Sequence, residues 1–227
     1  MNELTKKAQE NAYKLWGEHV SSGYLLYPNE YLTRYIYAHK KEFKKILDFG
    51  CGDGRHLEMM ARAGIAELIG IDYNACVLKT AKNRCENLGI KCEVFQSKKE
   101  LNLKELLKEK SVDCVVCWGI THLNAKEITS DFIKQFSSVL NENGEVFANW
   151  RTQKDSLYKS GIECEKNTFI IENQSHKGML YYFPPLDEIK QIYKDARLEI
   201  LSIDYEEFST NNNAIINSWH IIRARKI

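Results

Sequence analysis

Apolar and polar positions along residues 43–150 follow a repeating strand–helix pattern. Short apolar runs predict strands, and the segments between them carry apolar residues at the three-to-four-residue spacing of an amphipathic helix. Because strands alternate with helices, we predict a doubly wound, Rossmann-like, mostly parallel α/β sheet with helices on both faces. The predicted strands are 45–49, 68–72, 91–95, 112–118 and 145–150, and the predicted helices are 55–63, 75–87, 103–109 and 128–140.

The alternation lapses after residue 150. Residues 151–185 show no regular period, which predicts a long irregular insertion, and such insertions in compact domains are often functional. A helix near 186–196 and strands near 199–205 and 215–225 would then close the sheet with an antiparallel strand. We therefore expect one domain over 1–227, with an N-terminal cap (1–42), a core (43–150), a lid (151–185) and a C-terminal completion of the sheet (186–227).

Composition and charge narrow the classes of function. The chain has 227 residues, of which 44% are hydrophobic, so it can bury a core. Its 32 basic and 31 acidic residues give a net charge of +1, which does not favour binding to nucleic acid or an anionic membrane through bulk charge. Seven unpatterned cysteines fit a reducing compartment, and no signal peptide or membrane span is predicted. We expect a cytoplasmic protein.

A glycine-rich turn follows the first predicted strand. Asp48 ends that strand, and Gly50, Gly52 and Gly54 come before a helix, as in turns whose free backbone N–H groups face a bound ligand. A dinucleotide-binding turn would require a small residue where this chain has Arg55. Asp48 is poorly placed for a pyrophosphate and well placed for a ligand that carries an ammonium group.

A second acid, Asp72, ends the next strand, where a carboxylate can accept hydrogen bonds from both hydroxyls of a ribose. Together these features resemble motif I and the second-strand acid of the class I S-adenosylmethionine-dependent methyltransferases, over about 43–150. The resemblance implies S-adenosylmethionine as cofactor, with the glycine turn beside its methionine part and the second-strand acid on its ribose. The residues that match these roles are Asp48, Gly50, Cys51, Gly52 and Asp72, with Tyr73 beside the adenine.

The resemblance also suggests where the rest of the cofactor lies. The family often has an acid after the third strand, whereas this chain offers Gln96 or Ser97 for the adenine amino group. Cys117 and Trp118 are expected to line the cofactor pocket, and Arg34 is the candidate partner of the cofactor's carboxylate.

The segment after the fourth strand carries a candidate base. His122 lies where the carboxyl end of a parallel strand meets the ligand, and imidazole has a suitable pKa for removing a proton. A structural role, capping the next helix or bonding a neighbour, is equally open. Cys114 and Cys117 have metal-pair spacing, but residues three apart on a strand point to opposite faces, so no metal site is predicted.

Candidate substrate contacts lie in the N-terminal cap and the insertion: Tyr27, Arg151, Tyr158 and Tyr182. Ordinary packing or surface exposure is the alternative for each. The expected partner is a small polar acceptor, and a further resemblance to bacterial sugar and surface-glycan methyltransferases suggests O-methylation of a sugar or nucleotide-sugar. The alternatives are methylation of RNA or protein, a non-catalytic cofactor-binding subunit, and a nicotinamide oxidoreductase.

Overall fold

The computed structural model describes residues 1–21, 26–98, 100–107, 111–173 and 176–227, with the side chains of 19–21 excepted. Residues 108 and 109, which end one predicted helix, lie outside the described residues.

Seven strands form the main sheet, in the order β3-β2-β1-β4-β5-β10-β9. Strands β1 to β5 are mutually parallel, and β10 is antiparallel to both β5 and β9. The order reverses between β1 and β4, which is where open α/β sheets bind ligands. The strands are β1 (Lys45–Phe49), β2 (Glu67–Asp72), β3 (Cys92–Gln96), β4 (Val112–Cys117), β5 (Leu140–Arg151), β9 (Leu198–Thr210) and β10 (Ile215–Lys226). This arrangement confirms the predicted fold class.

Seven helices are described, and local capping explains several of their bounds. The Asn74 side chain accepts a hydrogen bond from the Cys76 N–H at the start of α4, and Gly64, with φ of 97°, ends α3 in the left-handed region. The helices are α1 (Glu3–Ser21), α2 (Glu30–His39), α3 (Arg55–Ala63), α4 (Ala75–Asn87), α5 (Leu103–Leu107), α6 (Lys126–Val139) and α7 (Leu186–Asp195).

The insertion is more regular than the sequence pattern predicted. It forms a second, antiparallel sheet of β6 (Gly161–Glu165), β7 (Thr168–Ile171) and β8 (Leu180–Tyr182), in that order. The expectation of an irregular segment was wrong because these strands are short and their buried residues face a satellite core with few sequence cues. That core includes Phe169, Tyr181 and Phe183, and Trp16 of α1 packs against it.

Two hydrophobic clusters cover the two faces of the main sheet. Leu47, Val115 and Cys117 belong to one cluster, whereas Ile46 and Cys114 belong to the other. Cys114 and Cys117 therefore point to opposite faces, as expected for a strand. In the described residues, no helix has the length and apolar character needed to cross a membrane.

Candidate active site

A cleft of about 1090 Å³ lies beyond the carboxyl ends of β1, β2 and β3 and beside the segment that follows β4. Helix α1 forms its outer wall. A cleft of this size is ample for a nucleoside-sized ligand, since ligand pockets measure roughly 300–1,000 Å³. Its central lining residues are Gln9, Tyr13, Trp16, Phe49, Gly50, Asp72, Tyr73, Ser97, Ile120, Leu123 and Asn124.

The glycine turn brings bare backbone to the edge of this cleft. Gly50 has φ of 78°, and a Cβ at this position would lie 2.2 Å from Cδ1 of Ile120. Only glycine satisfies both the left-handed backbone and the close approach of the isoleucine. The Gly50 and Cys51 N–H groups donate to Ile71 O at 2.8 and 3.0 Å, which ties the turn to β2. The Cys51 side chain itself is buried.

Asp48 lies beneath the turn and is 1% exposed. Its Oδ2 has no hydrogen-bond partner in the described part of the chain. Burial raises the pKa of this carboxyl to about 7, and the charge of Arg55 opposes that rise. A buried carboxylate oxygen without a partner is costly unless a ligand satisfies it, so Asp48 fits a ligand that brings a positive charge or a donor.

Asp72 lies at the cleft with its carboxylate held in place. Oδ2 accepts from the Gly52 N–H and Oδ1 accepts from the Asn74 N–H, both at 2.9 Å. Each carboxylate oxygen can accept more than one hydrogen bond, so Asp72 retains acceptor capacity for ligand hydroxyls. The glycine turn and the second-strand acid are thus joined by a direct hydrogen bond.

An aromatic pair follows Asp72. The rings of Tyr73 and Tyr13 are stacked with centroids 4.7 Å apart, and both residues line the cleft. Of the two residues suggested for the adenine amino group, Ser97 lines the cleft, whereas Gln96 is exposed and its side-chain N–H₂ donates to Tyr73 O at 3.2 Å. Gln96 turns away because successive strand residues alternate faces.

The segment after β4 presents different residues to the cleft than the sequence suggested. Ile120, Leu123 and Asn124 line it. Cys117 is still within the strand and packs in the core, and Trp118 packs against Tyr31 and Phe147 at centroid distances of 6.5 and 5.7 Å. The positive φ of Gly119 turns the chain between these two groups of residues.

His122 is buried in a short 3-10 turn, Thr121–Leu123, next to the cleft-lining Leu123. Its ring stacks on Tyr181 with centroids 5.3 Å apart, and Nδ1 has no partner among the described residues. Burial, and to a smaller extent the charges of Arg151 and His176, hold the pKa of His122 well below its usual range. The imidazole is therefore neutral near pH 7 and is a weaker base than a solvent-exposed histidine.

The predicted substrate residues of the insertion are largely enclosed. Arg151 is paired with Asp155, and its guanidinium carbon lies 5.0 Å from the ring centroid of Trp219. Tyr182 is fully buried in the main core, and Tyr158 packs edge-on against Phe169. Of these residues only Tyr182 lies on a strand of the second sheet, whereas Arg151 ends β5 and Tyr158 lies in the turn between β5 and β6.

The N-terminal cap also differs from expectation. Arg34 is exposed on α2 and lies outside the cleft, because the helix buries its opposite face through Leu32 and Ile36. Tyr27 is 81% exposed, and its carbonyl accepts a hydrogen bond of 2.8 Å from Nη1 of Arg55. The charge of Arg55, at the start of α3, also acts on Asp48, and the sequence analysis did not consider this residue for binding.

Helix α1 supplies cleft residues that the sequence analysis missed. Gln9, Tyr13 and Trp16 are spaced by four and three residues, so they share one face of the helix. That spacing was available in the sequence. It does not stand out because α1 is largely polar, whereas a helix face that packs against a core is usually predicted from a stripe of apolar residues.

Comparison with known families gives one match over the core. The family described as "Methyltransferase domain" matches residues 46–144, a range that contains the glycine turn, Asp72 and His122.

Curated relatives resemble parts of the chain. A tRNA U34 carboxymethyltransferase from Photobacterium profundum is 24% identical over 178 residues, which is 78% of this chain and 51% of the relative. A ubiquinone biosynthesis O-methyltransferase from Aliivibrio fischeri is 38% identical over 74 residues, which is 33% of this chain and 30% of the relative. The chain thus spans about half or less of the length of these relatives.

Solved structures share the fold. An S-adenosylmethionine-dependent methyltransferase from Methanosarcina mazei has a TM-score of 0.66 at 20% identity and covers 85% of this chain and 97% of its own. One from Clostridium acetobutylicum also has a TM-score of 0.66, at 15% identity, covering 92% and 97%. The residues present fit S-adenosylmethionine: the buried Asp48 Oδ2, which has no partner among the described residues, suits an ammonium group, and the fixed Asp72 suits ribose hydroxyls. The core, residues 46–144, therefore matches the methyltransferase-domain family, and the chain has the fold of solved S-adenosylmethionine-dependent methyltransferases.

Proposed function

We propose that this chain transfers a methyl group from S-adenosylmethionine to a small polar acceptor. The observation that carries the proposal is a pair of acids on either side of the glycine turn: Asp48, buried beneath the turn, has an oxygen without a described partner, and Asp72, which lines the cleft, is fixed by two backbone N–H groups. The pair provides separate partners for an ammonium and for ribose hydroxyls. The match to the methyltransferase-domain family supports the same function.

Cofactor recognition involves charged groups from the start of α3 as well. Arg55 is close enough for its charge to affect the pKa of Asp48, and its guanidinium contacts the cap through Tyr27 O. We assign Arg55, instead of Arg34, to the carboxylate of the donor. The two charges of an amino acid would then meet groups of opposite sign on either side of the glycine turn.

Bound S-adenosylmethionine supplies an electrophilic methyl group. The chain's own contribution is to orient the acceptor and exclude water, since methyl transfer is an in-line displacement. Helix α1 covers the cleft, and the second sheet packs against it through Trp16. His122 is our candidate general base, because it lies next to the cleft-lining Leu123 and its Nδ1, without a partner among the described residues, is free to accept the proton of a hydroxyl acceptor.

We further propose which class of molecule accepts the methyl group. A sugar or nucleotide-sugar hydroxyl is the acceptor that the sequence suggested. The relative named for ubiquinone biosynthesis supports an oxygen acceptor, and the relative named for tRNA makes RNA the second candidate. A net charge of +1 favours a small molecule over RNA, because RNA binding draws on basic surface.

The test is methyl transfer from a labelled donor to panels of nucleotide-sugars, free sugars, phenols and carboxylic acids, with bulk tRNA in parallel. Time-dependent labelling of a hydroxyl compound would support the proposal. Labelling of tRNA alone would overturn the small-molecule assignment. Tight binding of S-adenosylhomocysteine without transfer to any acceptor would favour a non-catalytic binding subunit.

A further inference from the structure

Gln9 lies at the buried contact between α1 and the segment that follows β4. Its side-chain N–H₂ donates to Leu123 O at 3.0 Å and to Oδ1 of Asn124 at 3.2 Å. Its Oε1 accepts from the Ala125 N–H at 2.8 Å. Both polar ends of the amide therefore bond the same short segment, 123–125. Gln9 is 3% exposed, so these hydrogen bonds are shielded from bulk water.

The contact extends on both sides of Gln9. The Tyr13 hydroxyl donates to Oδ1 of Asn124 at 2.8 Å, and Nδ2 of Asn124 donates to Ile120 O at 2.9 Å. A buried network in which every group has a partner resists rearrangement, because breaking one bond leaves a buried group without a partner. We call this set of side chains, Gln9, Tyr13 and Asn124, the α1 clasp.

The clasp joins two parts of the cleft. On one side it holds the helix whose Tyr13 stacks on Tyr73, and on the other it holds the segment that carries His122. Ile120, whose carbonyl the clasp engages, is also the side chain that fills the space over Gly50. Displacement of Gln9 would therefore loosen the outer wall and the residue next to the glycine turn together.

We propose that Gln9 is a positioning residue, which sets α1 and the segment 120–125 in the arrangement that binds the donor. The inference rests on the proposed function, because the ligand whose affinity it controls is the methyl donor. Among the described side chains of α1 the buried apolar ones are the small Ala8 and Ala12, and Leu15 and Trp16 are only partly buried, so apolar packing alone specifies the register of the helix weakly. The amide of Gln9 supplies directional contacts that fix it.

The substitution Gln9→Glu tests this role, because it keeps the shape of the side chain and replaces its donors by a carboxylate. At pH 8 the carboxylate would face Leu123 O and Oδ1 of Asn124, two acceptors, and repel both. At pH 5.5 a buried glutamate in such surroundings is protonated, and its O–H can again donate. We expect affinity for S-adenosylhomocysteine to fall roughly tenfold relative to the unsubstituted protein at pH 8, and about twofold at pH 5.5.

The control is Gln191→Glu, which makes the same change of charge on the exposed face of α7, where Gln191 contacts Asp195. Calorimetry at both pH values should give the same affinity for this control as for the unsubstituted protein. A second variant, Tyr13→Phe, keeps the ring and removes one bond of the clasp; we expect a loss of about threefold. It decides the question if Gln9→Glu does not fold.

Recovery of affinity at low pH is the readout that a merely structural role would not give. If folded Gln9→Glu and Tyr13→Phe both bind S-adenosylhomocysteine as the unsubstituted protein does, the positioning role is wrong. Should Gln9→Glu not fold, unchanged affinity of Tyr13→Phe has the same meaning. Absence of binding by the unsubstituted protein would overturn the proposed function together with this inference.

Discussion

At the scale of single residues, the candidate site consists of charged side chains that are buried or held in place by their neighbours. Asp48 lies in β1 and Asp72 ends β2, its neighbour in the sheet, and local sequence was enough to predict both positions. The role that we propose for Arg55 could not be predicted from the sequence, because it depends on the cap segment, whose Tyr27 O accepts a hydrogen bond from Arg55. Arg34 was chosen from its position in the sequence, but the helix that carries it buries the opposite face.

Asp48→Asn should weaken ligand binding and stabilise the free protein. Loss of a charge-assisted contact to the ammonium is expected to lower affinity for S-adenosylhomocysteine by roughly 10–100-fold at pH 8. The pKa of Asp48 is about 7 in the folded chain and about 3.9 when unfolded. The folded state thus holds the extra proton between these values, and the stability of the unsubstituted protein declines as pH rises from about 4 to about 7.

The asparagine variant lacks this titration. Without ligand, the asparagine variant should therefore unfold at a higher temperature than the unsubstituted protein at pH 8. At pH 4 the two unfolding temperatures should be nearly equal. Equal affinity of the two proteins for S-adenosylhomocysteine at pH 8 would contradict the role of Asp48.

Arg55→Ala and Arg34→Ala form a matched pair. We expect Arg55→Ala to bind S-adenosylhomocysteine about tenfold more weakly, because the carboxylate of the ligand loses its cation. Arg34→Ala should leave the affinity unchanged. Methylthioadenosine, which has no amino-acid group, should bind both variants as it binds the unsubstituted protein, and the opposite ranking of the two arginines would restore Arg34 to the site.

His122→Ala should lower methyl transfer by roughly 10²–10⁴-fold if the histidine is the base. Affinity for S-adenosylhomocysteine should change little, and His220→Ala on β10 is a control. Because the pKa of His122 is lowered, the residue stays neutral between pH 8 and 6.5, and its protonation should not slow transfer in that range. Full activity of His122→Ala would assign the residue to structure.

At the scale of elements, the bounds of β1, α3 and α4 were predicted at every residue, since a glycine turn and an asparagine cap mark them locally. The second sheet and α1 were not recognised. Their buried faces are completed by each other, as in the contact of Trp16 with the Tyr181 cluster, so neither carries a full pattern of its own.

Gly50→Ala tests the close approach at the glycine turn. Its Cβ would meet Ile120 at 2.2 Å, so we expect loss of ligand affinity as the isoleucine moves into the cleft. Gly89→Ala is the control: φ is 62° there and no atom lies within 4 Å of the added carbon. Both variants should lose about 1–2 kcal/mol of stability from left-handed backbone strain. Unfolding and calorimetry separate the two effects, and unchanged affinity of Gly50→Ala would argue against the tight turn.

At the scale of the whole molecule, the sheet brings Asp48, Asp72 and the segment after β4 to one edge. Helix α1, which is distant from β4 in the sequence, forms the outer wall of the cleft at that edge. The order of elements made the edge predictable. The position of α1 as the outer wall was not predictable, because Gln9 and Leu123, which are hydrogen-bonded, are more than a hundred residues apart in the sequence.

The most direct test of the central claim is calorimetric titration of the unsubstituted protein with S-adenosylhomocysteine, with NADH as the comparison. We predict saturable binding of one S-adenosylhomocysteine per chain, which Asp72→Ala abolishes, and no heat with NADH. A folded protein that gives no heat with S-adenosylhomocysteine, or that binds NADH instead, would contradict the account.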